Sequence, residues 1–161
     1  MGILDKLRPQ SKSTHPDPDI RIEAIHELDP ADAAALSAFA KDDTDPRVRR
    51  VAVARIGEAA VLADIVRNET DGSVRDHALT QLVEQASKHT PATAIAAVTA
   101  LASLARDREL VQVAKAPGPD EVRRAAIAAV RDEKSLGSIA RHEPARVHHL
   151  PHAPRTGGPV R

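Results

Sequence analysis

Along this chain the aliphatic residues fall into short stripes, and one stripe recurs. It reads Val or Ile, Arg, two variable residues, Ala, an aliphatic residue, two variable residues and a last aliphatic residue. Copies lie at Ile20, Arg21, Ala24, Ile25 and Leu28; at Val48, Arg49, Ala52, Val53 and Ile56; at Val74, Arg75, Ala78, Leu79 and Leu82; and at Val122, Arg123, Ala126, Ile127 and Val130. Apolar offsets of 0, 4, 5 and 8 put these side chains on one face of an α-helix, whereas a strand would alternate. The copies start 28, 26 and 48 residues apart. The last interval is close to two periods, and a degenerate copy fills it: Ala96, Ala100, Leu101 and Leu104 keep the apolar positions without the arginine.

Turn and cap formers precede each copy: Asp17-Pro18-Asp19, Asp45-Pro46, Asp71-Gly72-Ser73 and Pro117-Gly118-Pro119-Asp120. Such residues accept orphan amide hydrogen bonds or start a first turn. A second apolar cluster follows most copies: Leu36, Phe39, Ala40; Leu62, Ile65, Val66; Leu110, Val113, Ala114; and Leu136, Ile139, Ala140. Each unit is therefore expected to be a pair of helices. The third is the exception, because only 22 residues separate Leu82 from Leu104, too few for a second helix. The polar loop Ser87-Lys88-His89-Thr90-Pro91 and the alanine-rich stretch from Ala92 to Ala105 mark this irregular middle.

The Asp-Pro, Val-Arg, Ala, aliphatic, Leu pattern resembles a HEAT repeat, in particular the compact bacterial form, over residues 16–142. The resemblance implies an all-α fold: an α-solenoid of four to five antiparallel helix pairs with an irregular middle unit. It also implies a structural ladder between adjacent units, with Asp19, Asp45, Asp71 and Asp120 facing Arg21, Arg49, Arg75 and Arg123. It does not imply a reaction, because such arrays present extended surfaces to proteins and sometimes to nucleic acids.

Composition narrows the function classes. Phe39 is the only aromatic residue, so small aliphatic side chains must supply the core and helices can approach closely. Cysteine is absent, which removes disulfides and thiolate metal sites and makes the cytoplasm the default compartment. No run approaches the roughly 20 apolar residues of a spanning helix, so no stable membrane association is expected. Formal charge is zero overall, yet residues 17–45 carry nine acids against Arg21 and Lys41. A solvated face with acids near helix starts accounts for that excess, although it would also orient a partner or a neighbouring copy.

No catalytic constellation stands out. His26 and His77 lie outside the apolar stripes and read as surface residues, and Ser37, Asp64 and His77 lack any nucleophile-elbow or oxyanion motif. There is no phosphate loop, zinc helix or dinucleotide fingerprint, and no cofactor is implied. The expectation is a non-catalytic scaffold that binds a protein partner through its second helices, with Lys41, Asp64, Arg67, Gln112 and Lys115 as candidate partner-binding residues. The alternative is a nucleic-acid-binding solenoid with an arginine-lined edge formed by Arg47, Arg49, Arg50, Arg55, Arg123, Arg124 and Arg131. Without stacking aromatics, that reading ranks second.

The ends differ from the repeats. Residues 1–15 place Ile3, Leu4 and Leu7 beside Lys6 and Arg8, a short amphipathic segment expected to fray or to cap the first unit. Met1-Gly2 has the start of an acylation signal, but Lys6 stands where Ser or Thr is required. Residues 143–161 are rich in Pro, His, Arg and Gly and are expected to be disordered. Their His148, His149 and His152 have no acid or cysteine partner for a fixed metal site. So abrupt a change after a regular repeat is also what a truncated or out-of-frame ending of a longer array would leave.

Overall fold

The computed structural model describes residues 12–29, 31–88 and 90–142, and every element in it is helical. A 3-10 turn at Lys12–Thr14 leads into α1 (Pro18–Glu27), α2 (Ala33–Asp42), α3 (Pro46–Val53), α4 (Ala59–Asn68), α5 (Gly72–Lys88), α6 (Pro91–Ser103), α7 (Asp107–Lys115), α8 (Asp120–Ala129) and α9 (Glu133–Ala140). The recurrent stripes lie on α1, α3, α5 and α8, and the degenerate one on α6. The second clusters lie on α2, α4, α7 and α9.

The start of each early unit is built the same way. Asp17, Asp45 and Asp71 stand three residues before the stripe, and each carboxylate accepts an amide N–H of the first turn, from Asp19 at 2.9 Å, Arg47 at 2.8 Å and Ser73 at 2.9 Å. Proline follows Asp17 and Asp45 at the first helical position, where its missing N–H costs nothing. Asp32 and Asp132 cap α2 and α9 in the same manner.

Packing follows the stripes. Each first helix contacts the next, giving the series α1, α3, α5, α6 and α8, while α2 contacts α4 and α7 contacts α9. The second helices also pack on the first helix of the following unit, α2 on α3, α4 on α5 and α7 on α8. The core is accordingly continuous and aliphatic: Val48, Ala52, Val53, Leu62, Val74, Ala78, Leu82, Leu101 and Leu110 are fully buried. Isolated helices of 8 to 17 residues are marginal in water, so this mutual burial is what holds them.

The third unit departs from the plan. Its first helix, α5, is 17 residues long and is followed directly by α6, with no second helix between them. As a result α4 packs against α6, and α7 packs against α5, contacts without counterpart in the first two units. Residues 1–11 and 143–161 lie outside the described residues, and with them the amphipathic N-terminal segment and the histidine tail.

The turn from α6 to α7 carries one backbone conformation that its side chain resists. Ala105 has φ 53°, with its amide on the carbonyl of Ala102 at 3.1 Å and the amide of Arg106 on that of Leu101 at 3.1 Å. This is the paired hydrogen-bond closure in which glycine is usual, and a Cβ in the left-handed region costs about 1–2 kcal/mol. Ala105→Gly is therefore expected to stabilise the chain by about 0.5–1 kcal/mol after glycine's own entropy cost is subtracted, read as a higher urea midpoint. A lower midpoint would mean that the turn is not strained.

A candidate binding surface and the arginine forks that frame it

Two arginines knit the turns together. Arg21 directs Nε and Nη2 onto the two oxygens of Asp43, both at 2.8 Å, while its Nη1 donates to the carbonyls of His15 and Pro16. Arg49 repeats this one unit on: Nε and Nη2 meet Glu69 at 2.8 and 3.0 Å, and Nη1 donates to the Asp43 carbonyl at 2.8 Å. The side chains of both pairs are 6–12% exposed. A planar guanidinium matches a carboxylate bidentately and keeps a third direction free for the backbone, a geometry that lysine lacks.

The ladder expected from the repeat pattern thus has different acidic members. Asp43 and Glu69, the residues just after α2 and α4, take the arginines, while Asp45 and Asp71 serve as helix caps. Asp19 is out of register by two positions; Asp17 is the true equivalent of Asp45 and Asp71. Asp19 instead approaches Arg47 at 3.4 Å. Asp120 pairs with Arg123 within α8 itself. The missed signal is the tripeptide before each stripe, Asp43-Thr44-Asp45 and Glu69-Thr70-Asp71, in which the first acid also accepts the amide of the second at 2.9 and 2.8 Å. His15 Nδ1 does the same for Asp17 at 3.1 Å. Arg75, in the third unit, makes no hydrogen bond or ion pair among the described residues. Its unit has no second helix to end in a carboxylate.

The five candidate partner-binding residues fall into two groups. Lys41 on α2 pairs with Asp64 on α4 at 2.6 Å, and Lys115 on α7 donates to Ser138 on α9 at 2.6 Å. These two contacts are the same contact in register: counted from the leading leucine of each second helix, the cation stands five residues on and the acceptor of the next helix two residues on. Arg67 occupies the cation position of α4 and Gln112 the acceptor position of α7. Both are exposed, and no hydrogen bond joins them to anything among the described residues.

Two clefts open on this side. One, of about 400 Å³, lies between α2 and α4 and is lined by Lys41, Arg49, Asp64, Asn68 and Glu69. The other, of about 840 Å³, lies between α4 and α6, with Ala60, Ala63, Ala96 and Ala100 as its floor and Arg67 at its rim. Neither gathers groups suited to catalysis. Ser37, Asp64 and His77 share no hydrogen bond, and no cluster of three metal-ligating side chains occurs among the described residues. No helix among them is long and apolar enough to cross a membrane.

No protein-family model, curated protein or solved structure matches this chain.

The electrostatics of the forks set a pH dependence. Burial pushes the Asp43 and Glu69 carboxyls up, but the guanidinium forks and the amides of Asp45 and Asp71 outweigh it and hold both below their ordinary values of 3.8 and 4.5. Asp64, beside Lys41, is also lowered. A depressed carboxylate stabilises the fold above its unfolded value, and that contribution is lost as pH falls through the folded one. Thermal melts should be level from about pH 7 to 5 and decline below about pH 4.5. Glu69→Gln should be less stable at pH 7 and show a shallower acid limb; an acid limb as steep as that of the parent chain would contradict a titrating role for Glu69.

Proposed function

We propose that residues 16–142 form an α-solenoid of the HEAT-repeat kind, a right-handed stack of four or five antiparallel helix pairs, and that it acts as a cytoplasmic, non-catalytic scaffold of bacterial type. Its ligand is a protein, bound along the side formed by α2, α4 and α6. The observation that carries this reading is the run of two adjoining clefts on that side, one edged by Lys41 and Asp64 and one floored by alanines with Arg67 at its rim. Mixed charge around apolar ground suits a protein surface, in which a polar rim surrounds a desolvated centre.

The nucleic-acid alternative has less support. Of the arginines that would line its edge, Arg49 is committed to Glu69, Arg55 to the Ile25 and Leu28 carbonyls, and Arg47 to Asp45. Cations held in this way are poorly placed to release counterions from a phosphate backbone.

The test is capture of partners from the source lysate on the immobilised full chain, with and without nuclease. The expected result is that specific proteins remain bound after nuclease treatment. Loss of every partner on nuclease treatment would overturn the reading in favour of nucleic acid.

A further inference from the structure

The first end of the stack lacks the cover that the regular units after it receive. α2, α4 and α7 pack on α3, α5 and α8, and the stripe pairs Val48 and Ala52, Val74 and Ala78, and Val122 and Ala126 are 0–3% exposed there. Among the described residues, α1 is preceded only by the 3-10 turn Lys12–Thr14, three residues where α2, α4 and α7 have nine or ten. Ile20 and Ala24, the same pair in α1, are accordingly half-buried.

α2 shows the same deficit. Three residues after the leading leucine, Ile65 in α4, Val113 in α7 and Ile139 in α9 are 3%, 3% and 6% exposed, whereas Phe39 in α2 is half-buried. Two residues after that leucine, Asp64 and Ser138 each accept a cation from the second helix before them. In α2 that place is held by the exposed Ala38, whose side chain can accept nothing and suits an apolar cover. Ala35, Ala38 and Phe39 are the apolar part of a groove of about 350 Å³ that Ser13, Thr14 and Asp42 also line. No lysine, arginine or histidine is among its lining residues. Asp42 makes no hydrogen bond or ion pair among the described residues, and it ends α2, where its carboxylate adds to the negative end of the helix dipole. The groove therefore calls for an apolar segment that carries positive charge.

The chain itself supplies one. Lys12, paired with Glu27 at the end of α1, is the first described residue and adjoins Ser13 at the groove. Residues 1–11 join the described chain at this point, with Ile3, Leu4 and Leu7 as apolar groups and Lys6 and Arg8 as cations. Leu7 is five residues from Lys12, a span of up to about 17 Å. Arg8, twelve residues before Ile20, stands where the leading leucine of a second helix would, so the segment is not a further copy of the repeat. We propose that residues 1–11 lie in this groove as a cap on the first end of the stack: Leu4 and Leu7 cover Ala35, Ala38 and Phe39, and the cations of Lys6 and Arg8 stand beside Asp42. Terminal units of repeat arrays need such a cover to keep their apolar end from water. No partner is required, so the proposal stands apart from the protein-binding reading.

Phe39 is the only phenylalanine, and a ring-protonated phenylalanine label in an otherwise deuterated, leucine-methyl-labelled full chain marks one site. Nuclear Overhauser contacts from that ring to the Leu4 and Leu7 methyls are expected, with upfield methyl shifts that Asp42→Lys reduces by at least half and Ala38→Glu removes. Trypsin should cleave after Lys6 at least tenfold faster in Ala38→Glu than in the parent chain. Ala38 and Asp42 are exposed, so both variants should keep the parent helicity, checked by circular dichroism. Ring contacts confined to methyls from residue 12 onward, or equal cleavage of the parent and Ala38→Glu, would overturn the proposal. So would contacts to Leu4 and Leu7 that arise only between differently labelled copies in a mixed sample, since the groove would then hold the segment of a second copy.

Discussion

A guanidinium fork at the second stripe position ties the turn just before its own helix to a carboxylate 20 or 22 residues further along the chain. Arg21 and Arg49 each join the turn before their own helix to the residue that ends the unit's second helix. Since the Asp43 carbonyl accepts Arg49 while the Asp43 side chain accepts Arg21, one residue links two consecutive forks. The helices between these turns are short and pack through alanine, valine, leucine and isoleucine, with only Phe39 for bulk. Close packing of small side chains sets the distance between helices but leaves sliding along their axes weakly opposed, and the forks fix that degree of freedom. The same logic recurs at the other end of the helices, where Arg55 donates to the Leu28 carbonyl at 2.9 Å and Gln85 to the Ile56 carbonyl at 3.2 Å, Leu28 and Ile56 being equivalent stripe positions.

The third unit shows what happens when one term of the series is left out. With no second helix after α5, its arginine has no carboxylate to grip, Arg67 of α4 is exposed, and the stripe position that is a buried valine in α3, α5 and α8 is an exposed alanine in α6. The register of the neighbours survives because α5, α6 and α8 still contact in succession. The cleft between α4 and α6 has an alanine floor and carries both Glu58 and Arg67 in its lining.

The helices, their starts and the missing second helix were legible in the sequence because each rests on local chemistry. Offsets of 4, 5 and 8 define a face, Asp-Pro defines a first turn, and 22 residues between Leu82 and Leu104 cannot hold a further pair of connections and a helix. The acidic partners of the forks were not legible. Asp42, Asp43 and Asp45 crowd one turn, and the choice among them depends on where each side chain points once the turn has closed. Asp45 is turned inward by the amide of Arg47, which leaves Asp43 to the guanidinium of Arg21. The grouping of the partner-binding candidates was hidden for a similar reason. Lys41 and Asp64, 23 residues apart, become one contact only because α2 and α4 lie side by side, and Lys115 and Ser138 repeat it at the same interval.

The fork is most directly tested by a double-mutant cycle on Arg49 and Glu69, with Arg50→Ala as the exposed control, in urea unfolding at pH 7. Arg49→Ala should cost about 3 kcal/mol, because it strands a buried carboxylate, and Arg50→Ala no more than about 0.5 kcal/mol. Adding Glu69→Ala to Arg49→Ala should recover part of the loss, giving a coupling well above 1 kcal/mol. Equal small effects of Arg49→Ala and Arg50→Ala, with no coupling to Glu69, would contradict the account.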